Sequence, residues 1–252
     1  MAPALFTGLL DDATLLAGDR TPIEAVAGHL AHRRAAYASL VGPMVVPDTR
    51  LVEVGRHCGP EPVVEVQVVN SGGAGGLLGL SRRGQPGLGV VSVVSMLRDL
   101  DDLAGNAARV VAAADALDPE ITTFVGLPYA LGWQRAVEVV EAAGHCALVS
   151  PRSPADSGAI SELVEQLVVL IDADLPFKIG GESPAYPVIG LLAAIHGLIE
   201  GLDPADAARL VTADQPPATI GDEAEAQRVR RRLRSVNCAQ MSAVATRLSR
   251  PD

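Results

Sequence analysis

Lysine, aromatic residues and cysteine are all scarce in this sequence, and each shortage narrows what the protein can be. Lysine occurs once, at position 178, against nineteen arginines. Aromatic side chains make up 3% of 252 residues, so a core must be assembled from Val, Leu, Ala and Ile within an apolar fraction of 48%. The three cysteines, Cys58, Cys146 and Cys238, are widely spaced and form no CxxC pair, which argues against a disulfide framework and a cysteine zinc site. MAPALFTGLLDDATLL lacks a basic stretch and meets Asp11 and Asp12 at once, unlike a signal peptide. The apolar run VIGLLAAI (188–195) is too short to span a bilayer. A net charge of −10 argues against general affinity for nucleic acid or anionic membrane. The expectation is a soluble cytoplasmic protein acting on a small molecule, with no metal and no cofactor; homo-oligomerisation stays open.

Short Val-rich runs alternate with Ala/Leu-rich helical patterns. Strands are expected at 42–47, 62–69, 88–96, 121–128, 145–150 and 176–181, with helices such as 104–117, 133–144 and 161–173 between them. Alternation at roughly 25–30 residues per unit is the mark of parallel βα repeats. A seventh unit is placed within 188–202, and RSVNCAQ (234–240) is taken as the eighth. Thr21-Pro22-Ile23-Glu24 reads as a capping box opening a helix toward Leu40, and Asp203-Pro204 as a second helix start. No linker divides the chain. The predicted fold is therefore α/β, a single TIM-like (β/α)8 barrel over 1–252, complete or imperfect, with extra helices near the C-terminus.

Lys178 lies in the apolar stretch LPFKIGG (175–181). A free lysine has a pKa of about 10.4, and burial lowers it, exposing a lone pair that can attack a carbonyl. The alternative is a structural lysine paired with a buried carboxylate. Side chains alternate along a strand, so Phe177 and Ile179 should face the helices and Lys178 the barrel lumen. By the same phase Glu65 and Gln67 share one face of their strand and Val64, Val66 and Val68 the other. Because the two strands lie on opposite walls of an eight-stranded barrel, Glu65 is expected to approach Lys178 across the lumen.

The hexapeptide PFKIGG (176–181) resembles the strand-plus-lysine pattern of class I aldolases, which implies Schiff-base chemistry at Lys178. A wider pattern comprises LLDDATLL (9–16), TPIEAVAGHLAHR (21–33), VGPMVVP (41–47), PFK (176–178), IHG (195–197) and SVNC (235–238). It resembles a group of uncharacterised actinobacterial βα-barrel proteins. That resemblance implies a second lysine on the strand before PFK, a Glu on the fourth strand and histidines after PFK. Here HCALVSP has no lysine, Gly126 stands near the Glu position, and GGESPAY has no histidine. The departures imply either chemistry rebuilt on other groups or a relative without catalysis.

Barrel active sites form at strand C-terminal ends. Asp48, Tyr129 and Arg152 follow three of the expected strands, where each reads first as a solvated loop residue and second as a site group. Gly180 and Gly181 allow close approach of a ligand or simply a tight turn. NSGGAGGLLG (70–79) lacks the third glycine of a dinucleotide loop, because Leu78 occupies it, and reads as a flexible loop. Arg82 and Arg83 could clamp an anion or lie free on the surface. His29 and His32 lack a carboxylate to complete a metal site, and His196 on an apolar segment reads as a core histidine. The leading expectation is a small-molecule lyase on a carbonyl-containing acid. Lys178 would form the imine, Glu65 and Tyr129 would transfer protons, and Arg82, Arg152, Asp48, Gln67, Gly180, Gly181 and His196 would form the anionic substrate's surroundings. The alternatives are an isomerase- or decarboxylase-type barrel in which charged Lys178 acts electrostatically, and an inactive barrel that binds a ligand or a partner protein.

Overall fold

The computed structural model describes residues 4–18, 20–80, 87–182, 184–213 and 223–248. Eight parallel strands close into a barrel in sequence order: β1 (Leu10–Asp12), β2 (Val41–Pro47), β3 (Val64–Asn70), β4 (Leu88–Met96), β5 (Thr122–Gly126), β6 (Cys146–Val149), β7 (Phe177–Ile179) and β8 (Leu233–Cys238). The helices are α1 (Pro22–His32), α2 (Leu51–His57), α3 (Gly73–Leu80), α4 (Leu103–Ala114), α5 (Trp133–Ala142), α6 (Ala159–Asp172), α7 (Val188–Ile199), α8 (Pro204–Val211), α9 (Glu223–Arg232) and α10 (Met241–Leu248). The fold is a TIM-type barrel carrying additional helices toward its C-terminal end.

The expected strands 42–47 through 176–181 all appear, within a few residues of their predicted limits. Three expectations need correction. Residues 188–199 form α7, whose residues Leu191, Leu192, Ala194 and Ile195 are buried, and not a strand. The strand left unassigned is β1, a three-residue segment whose two aspartates hide its apolar character. The glycine-rich stretch is helical from Gly73, not a flexible loop.

Local signals explain most helix limits. Thr21 and Glu24 form the reciprocal capping box that starts α1, which ends at His32, short of Leu40. Asp203 caps α8 by accepting from the Ala205 amide. One apolar cluster, containing Val66, Val68, Phe177, Ile179, Leu167 and Leu191, fills the layer between sheet and helices. A second, Val94, Phe124, Cys146 and Leu148 with Met96 against it, is separate from the first. These alternate-phase residues lie inside the barrel.

Candidate functional site in the barrel lumen

Barrel strands tilt, so alternate strands supply the side chains at each level of the lumen. Following the strand registers round the barrel, β1, β3, β5 and β7 place Asp11, Gln67, Phe124 and Lys178 at the middle level. The level nearer the strand N-termini holds Pro43, Ser92, Cys146 and Ser235. The level nearer the C-termini holds Val45, Val94, Leu148 and Asn237.

Lys178 is buried with no exposed surface. Its Nζ donates to Asp11 Oδ2 and, at 2.5 Å, to Gln67 Oε1, while the Phe124 ring centroid lies 5.5 Å away. Ser235 Oγ donates to the same Asp11 oxygen at 2.6 Å, and Gln67 Nε2 donates to Ser92 Oγ at 2.9 Å. The polar set is thus one connected network from five strands, β1, β3, β4, β7 and β8. Burial lowers the pKa of Lys178, and the adjacent Asp11 pulls in the opposite direction. Removing two ions from water costs several kcal/mol for each, by order of magnitude, and the direct pairing with its extra hydrogen bonds offsets that cost.

Above this level, the buried side chains of Val45, Val94 and Leu148 close the lumen toward the strand C-termini. Gly180 belongs to this plug, because a Cβ there would lie 2.8 Å from a Leu148 methyl. The glycine makes room for leucine, which corrects the expectation of ligand approach at that residue. Below the middle level, a cavity of about 900 Å³ opens at the strand N-termini. Asp11, Gln67, Phe124, Ser92, Cys146 and Ser235 line its inner part, and Asp115, Asp118, Thr122, His145 and Arg234 its outer part.

Several predicted site residues are therefore not gathered at Lys178. Glu65 is exposed at the N-terminal end of β3, on the lumen phase but one step too low; Gln67, two residues on, meets the ammonium. Tyr129 is 42% exposed and donates to Glu165 at 2.6 Å, an interaction that raises its pKa. Arg152 pairs with Glu162 at 2.8 Å and with Asp156 at 3.5 Å on the surface, which raises its pKa. Asp48 accepts from the Ser71 amide and hydroxyl, both at 2.9 Å. The Gly181 carbonyl accepts from Asn237 Nδ2 at 2.9 Å. His196 is buried on α7, away from the lumen. Arg82 and Arg83 lie outside the described residues.

Three groups were missed by sequence reasoning, Asp11, Ser92 and Ser235. Asp11 was visible only as an acid in an apolar run, and Ser235 as part of SVNC. The expectation that His29 lacks a carboxylate is also corrected: its Nδ1 lies 3.1 Å from Asp12 Oδ2, on the outer face of β1. Burial raises the Asp12 pKa, but the bonds from His29 and Thr14 together hold it below 3.8. Among the described residues, no three His, Cys, Asp or Glu side chains are grouped as metal ligands would be. No helix among them is long and apolar enough to cross a membrane.

No protein-family model and no curated protein matches the chain. Among solved structures, it is similar to the carboxyl transferase domain of Rhizobium etli pyruvate carboxylase with pyruvate and biocytin. The identity is 12% and the TM-score 0.36, over 92% of this chain and 44% of that one. The chain thus spans less than half the length of that structure, and a likeness of this degree assigns neither site nor substrate.

Proposed function

We propose that this barrel is a small-molecule enzyme of isomerase or decarboxylase type, acting beside a carbonyl group, with Asp11 moving the proton and Lys178 kept as a buried cation behind it. The order of the groups carries this reading. Asp11 and Gln67 line the cavity, and Lys178 bonds both from the far side with its own nitrogen shut off from solvent. The ammonium balances the carboxylate in a region of low dielectric and holds it in one orientation. In an isomerisation, Asp11 takes a proton from the hydroxyl-bearing carbon beside the carbonyl and returns it to the former carbonyl carbon, while the hydroxyl proton passes to the former carbonyl oxygen. Ser92 Oγ accepts from Gln67, so its own hydrogen is directed elsewhere and can donate to the developing enolate oxygen.

A second reading, an aldolase-like lyase, is favoured by the lowered pKa of Lys178 and by the resemblance of PFKIGG to class I aldolases. There the neutral amine adds to the substrate carbonyl, Asp11 protonates the carbinolamine hydroxyl, and water leaves as the imine forms. This requires Asp11 and Gln67 to swing away from Nζ.

One experiment separates the two. The protein is incubated in D2O with a panel of hydroxyaldehydes, hydroxyketones and keto acids, with and without borohydride. The expected result is exchange at the carbon beside the carbonyl, reduced about 100-fold or more in Asp11→Asn, with no added mass at Lys178. A reduced adduct on the single lysine, mapped apart from the N-terminal amine, would establish the lyase reading instead. Neither exchange nor adduct across the panel would refute both and leave a barrel that binds a ligand or partner.

A further inference from the structure

We infer that the ligand reaches the lumen through the N-terminal mouth of the barrel, and that its leading group is a hydrogen-bond donor, a hydroxyl or ammonium, and not an anion. Barrel enzymes generally use the opposite end. Here that end is closed above Lys178 by Val45, Val94 and Leu148, with Gly180 left bare to admit the leucine. The cavity at the N-terminal end instead reaches Asp11, Gln67 and Phe124 directly.

The inner corner of that cavity is rich in acceptors. Asp11 is 1% exposed, and among the described residues its Oδ1 has no hydrogen-bond partner although Oδ2 has two. The same oxygen lies against the bare face of Gly42, and the carbonyls of Gly8 and Leu10 each lie 3.3 Å from where a Gly42 Cβ would stand. A buried acceptor without a donor is unfavourable, and a donor from the ligand would satisfy it. An anionic head would meet the carboxylate of Asp11, with Asp115 and Asp118 on the rim behind it; Arg234 on that rim suits a polar tail. An α-hydroxycarbonyl compound, such as a short ketose, places its hydroxyl on Asp11 and its carbonyl oxygen on Ser92. The route rests on the cavity alone; this ligand class rests on the carbonyl chemistry proposed above.

Cys146 on the cavity wall reports on the route, while Cys238 is buried away from it. The full chain carrying Cys58→Ser is treated with methyl methanethiosulfonate, which transfers its methylthio group to a thiol and releases methanesulfinate, and each site is followed by peptide mass. Cys146 is expected to react at least ten-fold faster than Cys238. Thr122→Trp, at the exposed rim, should slow it about ten-fold with the fold checked by circular dichroism. Leu131→Trp, at a position 97% exposed beyond the C-terminal end of β5, should leave the rate unchanged. Saturating dihydroxyacetone should protect Cys146 several-fold, and pyruvate at the same concentration should not. Equal slow rates at both cysteines, or indifference to Thr122→Trp, overturn the route. Protection by pyruvate alone overturns the ligand class. Protection by dihydroxyacetone without deuterium exchange refutes the carbonyl chemistry and leaves the route standing; exchange without labelling of Cys146 does the reverse.

Discussion

Strands β4, β5 and β6 supply the lumen with Val94, Met96, Phe124, Cys146 and Leu148, whereas β7, β8, β1 and β3, joined by Ser92 of β4, supply Lys178, Ser235, Asp11 and Gln67. Both sectors exclude water to a similar degree. They differ in how each side chain depends on its neighbours. In the apolar sector every contact is a sum of small attractions, and losing one group leaves the rest intact. In the polar sector each member satisfies another, so removing one strands a buried charge or acceptor. A lumen built only for stability would be apolar throughout. In the function proposed above, the polar sector is the part that carries the chemistry.

The sharpest way to break this contrast is Lys178→Met, which leaves Asp11 buried and unpaired. A loss of roughly 3–5 kcal/mol is expected in urea unfolding, and pairing it with Asp11→Leu should recover most of it. A single-variant loss below about 1 kcal/mol would contradict a buried ion pair. In the apolar sector, Leu148→Ala should cost about 3 kcal/mol, and no second substitution in the polar sector should rescue it. Gly180→Ala should cost about 1–2 kcal/mol through its clash with Leu148. Combined with Leu148→Ala it should cost less than the sum, because the clash is gone.

Alkaline titration gives the two sectors opposite slopes. Burial lowers Lys178 below 10.5, with Asp11 opposing. The unfolded chain then holds that proton when the folded chain has begun to lose it, so stability rises with pH in the window below 10.5. Burial raises Cys146 above 9.0, with Arg234 opposing, so the unfolded chain loses that proton first and stability falls above pH 9.0. Cys146→Ala should reduce the fall, to which the raised Cys58 and Cys238 also contribute, and the Asp11→Leu, Lys178→Met pair should reduce the rise, to which Arg230 also contributes. Urea midpoints between pH 8 and pH 10.5 measure both. The smallest effect is expected outside the lumen: Tyr129→Phe, exposed and bonded only to Glu165 in the described structure, should leave the exchange rate unchanged.

Much of the fold could be read before the structure. The βα alternation, the capping box at Thr21, the cap at Asp203 and the inward phase of Lys178 all rest on short-range periodicity. β1 was not legible, because a three-residue strand with two acids carries no periodic signal. Nor was the partner of Lys178. Glu65 and Gln67 share a face of β3, and phase alone cannot separate them; the tilt of the closed barrel sets their level and brings Gln67 to the ammonium. The plug was hidden likewise, since Leu148 looks the same facing a helix or the lumen.

Local residue order determined that this chain forms alternating strands and helices and turns its one amine away from the helices, because backbone geometry repeats every few residues. Tertiary structure alone decided that Asp11, 167 positions away, would hold that amine, and which mouth of the barrel would be shut. Closure of the sheet makes neighbours of residues according to strand tilt and register, and neither is written in any single stretch of chain.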